Sequence, residues 1–229
     1  MDYILSSNLF SHAPTSRAVL EKIRENIPLY VSEKRLSHIL SVEREALRLS
    51  DILFPYLGID KKYQSDISAA ALLHDITKKY TTEEHAGVCS QKNIPVSKYE
   101  LSRGFTLHAK TGAFAARDIF GINDIVFSAI YCHTTGKEDM NVFDKIIFIA
   151  DYIEETRTAK ECIAAREYFY NNAENTKDKL LLLDLTIIKA LKATVSYLLE
   201  INSPVECETI DTLNFLLAEY ALQKQHTGD

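Results

Sequence analysis

Six residues of this 229-residue sequence have types and surroundings that suit metal chemistry: His38, His74, Asp75, His108, His133 and Asp151. Helical spacing groups His38 with Val42 and Leu49, His74 with Ile67 and Ala70, and His133 with Ile125, Ala129 and Ile130. Each of these imidazoles therefore falls on an apolar, inward face. His108 shares its face with Gly112, Ala115 and Ile119, two of them small enough to let a neighbouring helix or a ligand approach closely. Asp151 lies in KIIFIADYI, one turn from Ile147 and Phe148. A bare carboxylate there loses its hydration and needs a compensating cation.

Taken singly, an inward histidine is ordinarily a core side chain bonded to a carbonyl, and an inward aspartate a cap or an ion-pair partner. Together, with the His74-Asp75 doublet, they form a hard or borderline N/O donor set suited to Fe, Mn, Co, Mg or Zn. A shared Asp75 carboxylate can bridge two cations about 3.5 to 4 Å apart, an arrangement that polarises phosphoryl oxygens and activates water.

The elements that must position these residues read as helices. Glycines number seven and prolines five, and the apolar residues recur at three- and four-residue intervals with no strand-like alternation. Thr15 or Ser16 caps a first helix running to about Ile27, and Ser32 opens a second that ends near Pro55. Further helices are expected over 61–76, 82–92, 106–120, 123–133, 141–154, 160–172, 177–201 and 206–223, with a frayed tail from Gln223 to Asp229. Short linkers and the lack of repeats or low-complexity segments give an all-α, single-domain reading over residues 1–229, its last two helices wrapping the core.

Composition narrows the partners. Hydrophobic residues make up 46% of the chain, enough for a substantial core. The net charge of -6 and the absence of a Lys/Arg-rich run argue against a nucleic-acid polymer as partner. A small anionic nucleotide is compatible, because bound cations supply positive charge locally. Cys89, Cys132, Cys162 and Cys207 form no C-x-x-C pair, which fits reduced thiols in a cytoplasm. The N-terminus carries no secretory signal pattern, and Asp184, Lys189 and Lys192 interrupt the apolar stretch Leu180 to Leu199, so no membrane span is expected. The apolar face of that stretch suits a core or a homodimer equally.

The order His, His-Asp, His, His, Asp resembles the HD superfamily. The flanking segments RLSHILSVEREA (35–46), AALLHDITK (70–78), LHAKTGAFAA (107–116), AIYCHTTG (129–136) and KIIFIADYIEETR (145–157) are similar to one branch of it. That branch is the YqeK-type family of symmetrical bis(5'-nucleosyl)-tetraphosphatases, which cleave diadenosine tetraphosphate into two ADP. The resemblance runs from about residue 18 to 220.

It implies a helical HD-type bundle with a buried dinuclear centre, typically iron. His38, His74, Asp75 and Asp151 would hold one ion, and Asp75, His108 and His133 the second. It further implies catalytic roles for Asp75 and Lys78, with Lys78 meeting the phosphate chain and Thr135, Gly136 and Arg157 lining the same pocket. On the residues alone, Lys78 is an exposed helix-end lysine and Arg157 a surface partner of Glu154 or Glu155. Two positions depart from the family pattern. Ala109-Lys110 stands where relatives commonly have Gly-Pro, and Lys110 is expected to add a cation near the polyphosphate; Cys132 stands where an aromatic is usual. Being adjacent to His133, Cys132 points about 100° away around the helix and reads as buried filler. His12, His85 and His226 match no family ligand and are expected to be solvated. The alternatives are an HD-type phosphohydrolase of another nucleotide, a nucleoside mono- or triphosphate, and a non-catalytic nucleotide-binding scaffold.

Overall fold

The structure, a computed structural model, describes residues 12–227, and among these every regular element is helical. Ser16 caps α1 (Arg17–Tyr30) by accepting from Val19 N, and Ser32 caps α2 (Glu33–Leu57) by accepting from Arg35 N. Thr15 does not cap; its N–H and its hydroxyl both donate to Asp66 Oδ1, at 2.8 and 2.6 Å. Gly58 ends α2 at φ 68, the left-handed conformation that glycine adopts without steric cost.

A 3-10 turn (Lys61–Tyr63) leads into α3 (Gln64–Leu73). This helix stops before the expected position 76. The chain from His74 to Lys79 continues in tight turns, with Ile76 N donating to Leu73 O, Lys78 N to Asp75 O and Tyr80 N to Thr77 O. Next come α4 (Thr82–Lys92) and α5 (Lys98–Arg103), each opened by a capping box, Thr81 with Glu84 and Ser97 with Glu100. The six-residue α5 is absent from the sequence-based expectation because it is too short to display an apolar period.

The remaining helices are α6 (Leu107–Phe120), α7 (Asp124–Cys132), α8 (Val142–Ile153), α9 (Lys160–Ala173), α10 (Lys179–Glu200) and α11 (Cys207–Thr227). Asn141 starts α8 as expected, accepting from Phe143 N and Asp144 N. The tail is ordered helix further than expected, since α11 runs through Thr227.

At the centre, α2, α3, α7 and α8 pack on one another around Leu49, Leu53, Ile67, Leu72, Val126, Ile146 and Ile149, all fully buried. On this framework the ends of α3 and α7, the start of α6 and the inward faces of α2 and α8 meet at one point. Flanking helices close the bundle: α1 against α3, α4 against α6, α10 against α8 and α9, and α11 against α10. Of the charges that interrupt α10, Asp184 is accommodated by pairing with Lys145 at 2.6 Å. No helix among the described residues is long and apolar enough to cross a membrane.

Candidate metal centre

All six sequence-predicted ligands converge on that point. His38 comes from α2, His74 and Asp75 from the turn after α3, His108 from the first turn of α6, His133 from the end of α7 and Asp151 from the last turns of α8. Three subsets bring their donor atoms within 4.8 Å of one another: His38, His74 and Asp75; His74, His133 and Asp151; and Asp75, His108 and His133. His74, Asp75, His108 and His133 are buried, while the side chains of His38 and Asp151 keep 12% and 23% of their exposure. The centre therefore opens to solvent on the α2/α8 side.

Each imidazole is held by its outer nitrogen. The Nδ1–H groups of His74, His133 and His108 donate to the carbonyls of Ala71 (2.7 Å), Ile130 (2.7 Å) and Phe105 (2.5 Å), three residues back in each case. His38 Nδ1–H donates to Glu154 Oε1 at 3.2 Å, a carboxylate with no exposed surface. A carbonyl or carboxylate oxygen can only accept, so all four rings carry their proton on Nδ1. Their Nε2 lone pairs then face inward, the tautomer and orientation of metal-ligating histidine.

These residues fit divalent cations on grounds of hydrogen bonding alone. Nε2 of His38 and of His74 are buried with no hydrogen-bond partner. Nε2 of His108 and of His133 lie 3.1 Å apart with a lone pair on each, a repulsive pair that a shared cation relieves. Asp75 lies across the middle. Its Oδ2 is 3.5 Å from His74 Nε2 and 3.8 Å from His38 Nε2, and its Oδ1 is 3.1 Å from His108 Nε2 and 4.0 Å from His133 Nε2. Asp151 Oδ1 lies 3.0 Å from His38 Nε2.

The electrostatics agree with ligand duty. Burial pushes His74 and His133 down, keeping both neutral. Burial alone would raise the Asp75 carboxyl, but cationic neighbours, the Lys78 ammonium among them, outweigh it and hold it below the usual carboxylate range. Asp151 is likewise held low against burial, with the Arg157 guanidinium beside it.

Cations surround the donors. Lys78 Nζ lies 2.9 Å from His108 Nε2 and 3.6 Å from Asp75 Oδ1, so this lysine, exposed as spacing alone suggests, also faces the centre. Arg157 holds the Asp151 carboxylate at 2.6 Å and donates from Nε to the Asp151 carbonyl at 2.9 Å; Glu154 is a more distant partner at 3.8 Å. Arg35, which sequence patterning does not single out, donates to Asp75 Oδ2 at 2.7 Å. Neither Arg35 nor Glu154 carries a local signal, because their partners lie 40 and 116 residues away in the chain.

Three expected substrate contacts are located elsewhere. Lys110 is buried and neutralised, its ammonium 2.9 Å from both Glu100 and Glu208, so it does not reach toward a phosphate chain. Thr135 is buried and donates to Glu208 Oε2, while Gly136, at φ 74, packs against Thr212 of α11. It is Thr134 whose hydroxyl faces the imidazoles, 3.3 Å from His108 Nε2 and 3.2 Å from His133 Nε2.

The spare histidines need correction too. His85 is 3% exposed, with Nδ1 2.8 Å from Thr111 Oγ1, and His12 pairs with Asp66 at 3.1 Å. The flanking Glu83 and Glu84 suggest a polar helix, yet α4 lies on α6 and turns His85 inward. The side chain of His226 lies outside the described residues. Cys132 is 1% exposed, as filler should be.

Three cavities adjoin the centre. One of about 770 Å³ is bordered by Ser32, Lys34, Arg35, His38, Glu154 and Arg157. A second, about 430 Å³, lies between Arg35, Lys78 and Lys79. The third, about 420 Å³, is bordered by Lys78, Tyr80, His85, Phe105 and His108.

A helical bundle that gathers four Nδ1-anchored histidines and two aspartates beside cation-lined cavities defines a metal-dependent phosphohydrolase of HD type. The HD domain model matches residues 35–156. Over 203 residues the chain is 34% identical to the symmetrical bis(5'-nucleosyl)-tetraphosphatase of Staphylococcus aureus, covering 86% of this chain and 93% of that protein. It is 32% identical to the enzyme of the same name from Halalkalibacterium halodurans, covering 83% and 92%. A crystal structure from Clostridium acetobutylicum, described as a predicted HD superfamily hydrolase involved in NAD metabolism, superposes with a TM-score of 0.76 at 26% identity, over 90% of this chain and 100% of that one. The chain belongs to the HD domain family and, within it, to the symmetrical bis(5'-nucleosyl)-tetraphosphatases.

Proposed function

We propose that this protein hydrolyses diadenosine tetraphosphate symmetrically to two ADP, using a dinuclear centre held by His38, His74, Asp75, His108, His133 and Asp151. The observation that carries the reading is the Asp75 carboxylate, with one oxygen turned to the His38/His74 pair and the other to the His108/His133 pair. In this reading His38, His74, Asp75 and Asp151 hold one ion, and Asp75, His108 and His133 the other. Bound divalent cations, iron in our assignment and Mn, Co, Mg or Zn with the same donors, supply Lewis-acid polarisation of the phosphoryl oxygens and an activated water.

The chain's own residues do the rest. Lys78 lies between the centre and two of the cavities, where its ammonium can neutralise charge developing on the attacked phosphate and the departing ADP. Burial pushes its pKa down, while Asp75 and Asp151 counter that. Arg35 and Arg157 flank the wider cavity, giving the remaining phosphates partners on the α2/α8 side. Glu154 keeps the proton of His38 on Nδ1, so that Nε2 stays a ligand.

The same reading takes residues 1–229 as one cytoplasmic HD domain, with the apolar face of Leu180 to Leu199 serving the core or a homodimer. Incubation of the metal-loaded protein with diadenosine tetraphosphate, followed by nucleotide separation, tests the activity. ADP alone is expected; a mixture of ATP and AMP overturns the symmetrical assignment.

A further inference from the structure

His85 is a buried imidazole that the hydrolytic machinery does not use, and it borders the 420 Å³ cavity beside the metal centre. The Thr77 hydroxyl donates to His108 O at 3.0 Å, and the Thr111 hydroxyl donates back to Leu107 O, also at 3.0 Å. With its proton on Leu107 O, Thr111 Oγ1, which also lies 3.0 Å from Thr77 Oγ1, accepts from His85 Nδ1 at 2.8 Å. The edge His85 leaves for the cavity is Nε2, bearing a lone pair. Burial and then the nearby His108 push the imidazole down to about 4, so it is neutral near pH 7.

The rest of the wall suits a base. The Tyr80 ring lies 5.6 Å from the His85 ring, centroid to centroid, and Phe105 stands at the rim, 48% exposed. Neither of the other two cavities is bordered by a Tyr or Phe ring. Aromatic faces stack on nucleobases, and a cavity of this size falls within the range of about 300–1,000 Å³ usual for small-molecule sites. Lys78 and His108 border the same cavity and join it to the metal centre, where the phosphates belong.

We infer that this cavity is a subsite for one adenosine half of the substrate, with His85 Nε2 accepting a hydrogen bond from the exocyclic amino group of adenine. The inference rests on the proposed nucleotide hydrolase reading and adds to it a choice of base. Hypoxanthine presents a carbonyl where adenine has the amino group, so it meets the His85 lone pair with an acceptor.

Calorimetric titration of the metal-loaded protein with ADP and with IDP tests the subsite without turnover. ADP is expected to bind about tenfold more tightly than IDP, the worth of one neutral hydrogen bond. His85→Phe should bring the two affinities together, while Phe105→Ala, at the rim, should weaken both and keep their ratio. Equal affinities in the wild type overturn the inference, as does a preference for ADP that survives His85→Phe. If His85→Phe does not fold, the wild-type ratio and Phe105→Ala still decide. Failure of the hydrolase reading looks different: no ADP forms from diadenosine tetraphosphate, whatever the binding ratio.

Discussion

Replacing Glu154 by Gln should weaken binding of one metal ion by about 10- to 100-fold, the usual effect of losing a partner that orients a ligating histidine. Three bonds converge on this fully buried carboxylate: His38 Nδ1–H on Oε1 at 3.2 Å, the Thr156 hydroxyl on Oε1 at 2.6 Å, and Thr156 N–H on Oε2 at 2.7 Å. Burial would raise its pKa, but hydrogen bonds from hydroxyl, amide and imidazole neighbours outweigh that and keep it ionised. A carboxamide has one accepting end. If its oxygen serves His38 and the Thr156 hydroxyl, its NH2 faces the Thr156 N–H, donor against donor. If it turns over, the NH2 faces His38 Nδ1–H and drives the imidazole proton to Nε2, the ligand atom. Either arrangement costs on the order of 1.4–2.7 kcal/mol, the free energy of a 10- to 100-fold change. Chelator-competition titration should find one weakened ion and one unchanged. Wild-type affinity for both ions, within a factor of about two, would refute the role of Glu154 in orienting His38.

Other outcomes follow from the same structure. Lys110→Met leaves Glu100 and Glu208 facing each other and should destabilise the fold by about 3 kcal/mol, the lower end for a broken buried pair because Glu208 is half exposed; urea unfolding reads the loss, and KM of the folded variant for diadenosine tetraphosphate should not change. Gly136→Ala forces a side chain onto φ 74 with its Cβ 2.6 Å from Thr212 Cγ2; more than about 1 kcal/mol of stability should go, along with activity, because the turn carrying His133 and Thr134 must shift. His85 is lowered to about 4 in the fold against about 6.5 unfolded. Its contribution is therefore complete above about pH 6.5 and lost as the pH falls toward 4, amounting to about 3 kcal/mol. Between about pH 7.5 and 4.5, urea unfolding should show that much less loss of stability in His85→Phe than in the wild type; equal losses would contradict the buried neutral imidazole.

The candidate ligand histidines are legible in the sequence because each breaks an otherwise apolar helical face, and that pattern is local. Asp151 is legible for the same reason, standing among Ile147, Phe148 and Ile149. What sequence does not carry is anything set by pairing across the bundle. Lys110 reads as a cation free to meet phosphate, while its neutralising partner Glu208 lies 98 residues later. Arg35 and Glu154 read as ordinary helix-surface charges until α2 meets the turn after α3 and the end of α8. His85 reads as solvated beside two glutamates, since only the packing of α4 on α6 brings Thr111 to its ring. The end of α3 at Leu73 escapes local patterning for a tertiary reason as well: His74, Asp75 and Lys78 face one point only because the chain leaves α-helical geometry there.

The most direct test of the central claim is the number of metal ions held per chain by anaerobically purified protein, measured on the wild type and on Asp75→Ala. Two ions per wild-type chain, falling below one when the Asp75 carboxylate is removed, is the expected result. A wild-type protein that carries less than one ion per chain and still converts diadenosine tetraphosphate to ADP would contradict it.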